Sequence, residues 1–324
     1  MKRRIFSGAR PTGRQHLGNY LGALQNWVSL QDEYDCVYCS VDVHALTTLE
    51  DTSSLQKDIY EMTLDWLAAG LDPKKSILFV QSHVPEVMVL HTLLSMVTPL
   101  GWLLRVPTFK EKAKIQPQNV NYGLVGYPVL QTADIVIYKA EFVPVGEDQL
   151  PHLELAREIA RRFNNLFGDT FPEPQAKLTS FPSILGLDGK EKMSKQLKND
   201  IEIALSPEDT IKRVMTAVTD PARQYRSDPG HPEICNIYRL QGYFNPSELD
   251  ALADQCRSAK IGCVDCKMLL AQKINSNLEP FRERRAVFAA KPQYIKEVLA
   301  DGAQRAQAIA SETLSEVKQK MGLI

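Results

Sequence analysis

The segment Pro11-Thr-Gly-Arg-Gln-His16-Leu-Gly18-Asn19-Tyr20 lies between a short apolar run at residues 4–7 and an amphipathic run at residues 18–34. The first run reads as a strand. The second, with Leu21, Leu24, Val28 and Leu30–Gln31 near a 3.6-residue period, reads as a helix. A Gly- and Pro-containing turn that leads from a strand into a helix is where open parallel sheets bind ligands. The helix start offers free amides and the positive end of its dipole to a phosphate. Gly18 lets a flat base or ribose approach the backbone, and His16 can donate a hydrogen bond without permanent charge. Taken alone, the segment is equally a tight turn with a helix cap.

The pattern continues outward from this turn. Residues 36–43 read as a second strand and residues 55–67 as a helix with Leu55, Ile59, Met62 and Trp66 on one face. Residues 76–81 read as a third strand, residues 133–145 contain a fourth, and residues 153–167 are strongly helical in period. Such alternation predicts an α/β fold, a Rossmann-type parallel sheet covered by helices. After Phe171 the stretch FPEPQAKLTSFPSILGLDGKEKMSK is rich in Pro, Gly and Lys and reads as loop. Residues 207–218, 247–257, 267–288 and 293–322 then read as helices. The predicted division is a catalytic domain over residues 1–189, then a loop and a helical domain over residues 190–324, with the last helix a candidate to pack back on the first domain.

The bulk numbers bound what this fold can do. The chain has 324 residues, 44% of them hydrophobic, and a formal net charge of −1. That is ample for a core and, by length, for about two domains. Near-neutrality excludes a bulk polycation, so RNA binding would rest on a local basic surface, and DNA is not an expected partner. No stretch approaches the roughly 20 apolar residues that cross a bilayer. The N-terminus MKRRIFSGARPTG lacks the apolar core of a signal peptide. The expectation is a cytoplasmic protein without membrane contact.

Far from the first motif stands Lys192-Met-Ser-Lys195. Two lysines on a flexible loop could close over a triphosphate and stabilise a leaving pyrophosphate. A lone lysine pair is more often a solvated turn. The two motifs together, in this order and context, resemble the signature pair of class I aminoacyl-tRNA synthetases. The resemblance implies a Rossmann-type catalytic domain followed by a helical anticodon-binding domain, in agreement with the elements read above.

Three further segments resemble the tryptophan-specific family: Gly18-Asn19-Tyr20-Leu-Gly-Ala, Tyr127-Pro-Val-Leu-Gln131-Thr-Ala133-Asp134-Ile135, and Val143-Pro-Val-Gly146-Glu147-Asp148-Gln149. The likeness runs nearly to the chain's end. The related tyrosine-specific family typically has Gly-Gly-x-Asp-Gln where this chain has Gly-Glu-Asp-Gln. Asp134 is a carboxylate set among apolar residues, which is costly unless hydrogen-bonded. An indole N–H only donates, so an acceptor at the pocket floor suits it. A helix cap or a pairing with a core arginine is the competing role for Asp134.

The resemblance implies the remaining assignments. Phe6, Tyr127, Gln131, Val143 and Val145 shape the indole pocket, with Gln131 standing where many relatives carry Met. His44, Lys112 and Gln149 lie near the ammonium and carboxylate of tryptophan. Arg10, Pro11 and Thr12 line the adenosine; Gly146, Glu147 and Asp148 face the ribose and base; Gly18, Asn19, Ile184, Met193, Ser194 and Gln196 complete the ATP contacts. His16, Lys192, Lys195 and a Mg²⁺ ion neutralise charge while the carboxylate attacks the α-phosphorus of ATP, and tRNA(Trp) then takes the aminoacyl group. The family loop usually ends Lys-Met-Ser-Lys-Ser, whereas the fifth residue here is Gln196, which bears on loop closure. A homodimer is implied, with the apolar stretch at residues 87–104 as its candidate interface. A tyrosine-specific enzyme and an inactive RNA-binding or redox-sensing paralogue are the alternatives.

The six cysteines divide into two groups. Cys36 and Cys39 lie in the second strand, where residues three apart face opposite ways, so a core role is expected. Cys235, Cys256, Cys263 and Cys266 form C-x20-C-x6-C-x2-C, a set that suits tetrahedral zinc or a [4Fe–4S] cluster. Spacing leaves the two open. A subset of the family carries a similar pattern, with a slightly longer first gap, and binds [4Fe–4S], so the resemblance ranks iron–sulfur ahead of Zn²⁺. Arg213, Arg223, Arg226, Arg239, Lys260 and Lys267 surround these cysteines in sequence and are candidates for an RNA face.

Overall fold

Strand β1 (Arg4–Ala9) is central because its middle residues, Ile5, Phe6 and Ser7, are buried and it has a partner on each side. β2 (Asp35–Ser40) pairs with it in parallel from Arg4↔Asp35 to Ala9↔Ser40. β3 (Ser76–Val80) pairs beyond β2, and β4 (Phe142–Val145) pairs with β1 on the other side through Ile5↔Phe142. β5 (Gln175–Leu178) closes the edge, giving the order β3-β2-β1-β4-β5, all parallel. Every residue of β3 is buried, as expected of a strand covered on both faces. The Rossmann-type sheet read from the sequence is therefore present. The computed structural model describes residues 2–106, 109–110, 113–114, 117–178 and 184–324, without the side chain of Asp148.

The helices follow the apolar periods. Leu17–Asn19 forms α1, which passes through a π turn at Tyr20–Leu24 into α2 (Gln25–Leu30). Then come α3 (Asp42–Ala45), α4 (Leu55–Ala69), α5 (Glu86–Val97), α6 (Leu100–Arg105), α7 (Tyr122–Val136) and α8 (Leu150–Phe167). The later helices are α9 (Pro207–Met215), α10 (Asn236–Phe244), α11 (Leu249–Arg257), α12 (Cys263–Ala289) and α13 (Pro292–Lys320). Gly70 stops α4 at φ 116°, a left-handed conformation open to glycine without Cβ strain. Ser206 caps α9 by accepting from the Asp209 amide at 3.0 Å.

Several elements differ from the sequence reading. Residues 175–178 were expected to be loop but form the edge strand β5; its polar, half-exposed pattern carries no strand period. Asp134 and its neighbours belong to α7, so the fourth strand starts only at Phe142. The apolar stretch 87–104 is two helices, separated where Pro99 withholds an amide. α10 was not read at all.

Two compact units result. One comprises residues 1–13, 27–180 and 291–324; the other comprises residues 14–26 and 181–290. In the first, Trp27 stacks on Tyr38 with ring centroids 4.6 Å apart and meets the edge of Trp66 at 5.5 Å. The Tyr38 hydroxyl, fully buried, donates to the Trp27 carbonyl at 3.0 Å. Helix α13 lies so close on β3 that a Cβ at Gly302 would come within 1.9 Å of the Leu78 carbonyl oxygen. Arg305 and Lys139 add bonds to the Pro73 carbonyl and Glu316. In the second unit α12 packs on α9 and α10, and Tyr20 meets Phe281 at 6.2 Å. Among the described residues no helix is long and apolar enough to cross a membrane.

Candidate active site

The strand order reverses between β1 and β4, and in a parallel sheet that is where a crevice opens at the carboxyl ends. β1 runs out into Arg10, Pro11 and Thr12; β4 runs out into Gly146 and Glu147. The residues expected to line ATP on this unit thus converge at one edge. Arg10 donates to the Ala45 carbonyl at 3.2 Å and to Thr48 Oγ1 at 2.6 Å, so its guanidinium fastens the turn after β1 to α3. The Gln149 amide donates to the Gly146 carbonyl at 3.0 Å and closes the turn that leads into α8.

On the same unit, the candidate tryptophan pocket gathers around Asp134. Its carboxylate is only 2% exposed. His44 Nε2 lies 3.0 Å from Oδ2. Gln81 Nε2 donates to Oδ1 at 2.9 Å and to Oδ2 at 2.7 Å. Among the described residues Asp134 neither caps a helix nor pairs with an arginine. His44 sits on α3 just beyond β2, whereas Gln81 follows β3; paired strands bring the two to one edge. Phe6, Val143 and Tyr127 are buried, and Phe6 and Val143 share the core cluster against which Val145 packs. Phe6 stacks on Tyr138 at 5.6 Å. The Tyr127 hydroxyl lies 2.7 Å from His152 Nε2. Gln131 and Gln149 are half-buried. Lys112 lies outside the described residues.

The sequence reading overlooked Gln81, a fully buried polar side chain next to an apolar strand. Its signal was its place: the first polar residue after SILFV, at a carboxyl edge. His152 was not singled out either, although its Nε2 meets the Tyr127 hydroxyl.

The second unit holds the other motif pair. His16 caps α1: its Nδ1 accepts from the Asn19 amide at 3.3 Å, and its own amide donates to Asn19 Oδ1 at 3.2 Å. The Asn19 side chain is therefore spent on this reciprocal cap. Burial is the main cause that brings His16 down to about 4, opposed by Asp200 and reinforced by Lys195 and Lys192. A neutral imidazole whose Nδ1 accepts must carry its hydrogen on Nε2, which makes Nε2 a donor. Residues 15–17 are laced to residues 201–203: Leu17 donates to the Ile201 carbonyl at 2.9 Å, and Ile203 donates to the Gln15 carbonyl at 2.9 Å. The Lys-Met-Ser-Lys turn is thereby built beside His16 inside one unit.

That turn is anchored by residues the sequence reading did not single out. Asn199, 4% exposed, accepts from the Ser194 amide at 2.8 Å and donates to Asp188 at 2.7 Å. Hydrogen bonds from the Lys190 amide and Asn199 hold Asp188 below the usual carboxylate range. Buried Met193 donates its amide to the Ile184 carbonyl at 2.8 Å and lies under Gly18. Lys192 and Gln196 are exposed. Lys195 Nζ rests 3.4 Å from Glu202, which Arg14 also approaches at 3.9 Å. An arriving polyphosphate would compete with Glu202 for these cations.

Cys36 and Cys39 are fully buried in β2, as expected of core residues. Cys235, Cys256, Cys263 and Cys266 line one small cavity of about 20 Å³ together with Thr219, Asp220, Arg223, Ile237 and Ile261. None of the four is in a disulfide. As they stand, no group of three or more His, Cys, Asp or Glu among the described residues is set to hold a metal ion. The donor chemistry nevertheless fits a soft metal or cluster. Burial raises Cys266 to about 12 and raises Cys256 as well. Gln241 reaches Cys266 Sγ at 3.7 Å and Arg223 reaches Cys263 Sγ at 4.0 Å, while Arg223 Nε is buried with no hydrogen-bond partner among the described residues. Of the basic residues expected to form an RNA face, Arg226 pairs with Asp265 at 3.0 Å, Lys267 donates to the Met215 carbonyl, and Arg213 holds the Asp200 and Lys198 carbonyls. These three serve the unit's own structure.

Residues 1–279 match the family described as tRNA synthetases class I (W and Y). The chain is 46% identical to a tryptophan–tRNA ligase of Deinococcus radiodurans and 45% identical to one of Thermotoga maritima; each comparison covers 99% of both chains. It resembles the crystal structure of tryptophanyl-tRNA synthetase from Campylobacter jejuni complexed with ADP and tryptophan, with a TM-score of 0.87 and 34% identity over 98% of this chain and 99% of that one.

Proposed function

We infer the roles of individual residues from one premise: the chain belongs to the class I aminoacyl-tRNA synthetases and, within them, to the tryptophan–tRNA ligases. Such an enzyme joins the tryptophan carboxylate to the α-phosphorus of ATP, releases pyrophosphate, and passes the tryptophanyl group to tRNA(Trp). Catalysis of this kind is chiefly positioning and neutralisation of developing charge. His16 donates from Nε2 to a phosphate oxygen. Lys192 and Lys195 stabilise the leaving pyrophosphate, Lys195 by exchanging Glu202 for phosphate. Gly18, Ile184, Met193, Ser194 and Gln196 complete that phosphate-side turn, with Asn19 acting through the His16 cap. Mg²⁺ accompanies ATP as counter-ion, and no side chain is assigned to it. Arg10, Pro11, Thr12, Gly146, Glu147 and Asp148 form the nucleoside side at the carboxyl edge of the sheet.

The amino-acid pocket is floored by Asp134 as acceptor for the indole N–H. Phe6, Tyr127, Gln131, Val143 and Val145 form its walls, and His44, Lys112 and Gln149 lie toward the polar end of the substrate. The observation that carries this is a nearly fully buried carboxylate held by donors that follow two neighbouring strand ends. Amino-acid-dependent exchange of pyrophosphate into ATP tests it. Exchange with tryptophan that is abolished or cut at least a hundredfold by Asp134→Asn supports the assignment; unchanged kinetics in that variant would remove it.

The helices of residues 207–289 are the proposed anticodon-binding region within the predicted second domain of residues 190–324. There Cys235, Cys256, Cys263 and Cys266 would hold a [4Fe–4S] cluster, Zn²⁺ being the second choice. Support comes from four thiols on one cavity, with Arg223 and Gln241 directed at two of the sulfurs. The group would supply structural and RNA-positioning order to this region. The exposed Val89, Met96, Leu100 and Leu104 are the proposed homodimer face. The proposed compartment is the cytoplasm.

A further inference from the structure

We propose that Gln81 is a positioning residue for indole recognition: it fixes the Asp134 carboxylate so that one acceptor position stays open for the substrate N–H. The proposal rests on the reading of Asp134 as the indole acceptor. Gln81 is 0% exposed, and both functional ends of its amide are engaged. Its Oε1 accepts from the His44 amide at 3.2 Å. A main-chain N–H can only donate, so this bond fixes which end of the side-chain amide faces it. The NH₂ must then face Asp134, where it donates at 2.9 Å to Oδ1 and 2.7 Å to Oδ2.

A carboxylate offers about four lone-pair positions. The Gln81 NH₂ faces both oxygens at once, so one N–H is shared between them and covers one position on each. A carboxylate has no hydrogen to give, so His44 Nε2, at 3.0 Å from Oδ2, is the donor there and takes a third. Oδ2 is then saturated and Oδ1 keeps one position. A single vacant acceptor in a buried site selects a lone donor such as an indole N–H, and penalises a ring that lacks one.

The supporting structure is arranged for rigidity. Asp42, 6% exposed, accepts from the Val43 amide at 3.0 Å and from Ser82 through both its amide at 3.0 Å and its hydroxyl at 2.5 Å. That latch ties the turn bearing His44 to the turn bearing Gln81, each just past the end of a paired strand. The donors to Asp134 are thus set before substrate arrives, which is what selective recognition requires.

The test compares tryptophan with its isostere β-(benzothiophen-3-yl)alanine, in which sulfur replaces the N–H, in pyrophosphate exchange. Gln81→Met removes the Gln81 donor at similar size. The expected result is a drop of about tenfold or more in kcat/KM for tryptophan, with the isostere changed less than about threefold, so that the preference collapses. Equal losses for both substrates, or no loss, would overturn the proposal, because a merely structural role does not read the N–H. If Gln81→Met does not fold, Gln81→Leu removes the donor with another apolar side chain, and the same comparison applies. Asp134→Asn run in parallel separates the two claims. If that variant collapses the preference and the Gln81 variants do not, only the role of Gln81 fails. If Asp134→Asn leaves the preference intact, the indole assignment itself fails.

Discussion

His16 shows how much a single side chain's surroundings decide. As a free residue it would titrate near pH 6.5; burial brings it to about 4 in the folded protein. The unfolded chain therefore takes up the proton first on acidification. Stability from this group is fully present above about pH 6.5 and is lost progressively between there and pH 4, up to about 3 kcal/mol in all. His16 stays neutral above about pH 5, so its titration should leave no inflection in the pH profile of tryptophan activation between pH 5.5 and 8. An inflection near 6.5 that His16→Asn removed would contradict the burial-driven shift. The same substitution should lower the exchange rate about a hundredfold by removing the Nε2 donor. The reason His16 was legible in the sequence and Gln81 was not lies in chain order. His16 stands inside a local motif, whereas the partners of Gln81 are 37 and 53 residues away.

At the scale of elements, two contacts carry predictions. Asn199 holds the Lys-Met-Ser-Lys turn to Asp188 through bonds at 2.8 and 2.7 Å. Asn199→Ala should loosen that turn and lower kcat/KM for ATP about tenfold, with little change in tryptophan binding measured by equilibrium titration. Loss of tryptophan affinity alone would assign Asn199 elsewhere. Helix α13 approaches β3 at Gly302 without room for a methyl group. Gly302→Ala should cost about 1–3 kcal/mol from overpacking, read as a lower midpoint in urea with an unchanged slope. Most of the helical half was readable because its helices are long enough to show their period; the nine-residue α10, capped by no side chain, was not. β5 was not, because an edge strand with one half-buried side has no alternation that its sequence must keep.

At the scale of the whole molecule, cofactor content and assembly are the open measurements. Protein purified without oxygen should contain iron and acid-labile sulfide with visible absorption, and Cys266→Ser should lower all three together. Zinc in their place would select the alternative ion. Met96→Asp with Leu100→Asp should shift the mass in sedimentation from dimer to monomer, since both side chains are more than half exposed on consecutive helices. The sequence by itself determined the parallel sheet, the two phosphate-side motifs, the buried Asp134 and the four-cysteine set, because each is encoded in a local period, a short motif or an unusual residue type. Only the tertiary structure decided that α13 returns to β3, that residues 14–26 group with residues 181–290, and that Gln81 and His44 meet on Asp134. Those are contacts between residues far apart in the chain. Their energy comes from close packing and from satisfying buried polar atoms, which depend on where whole elements come to rest and leave no mark on neighbouring residues.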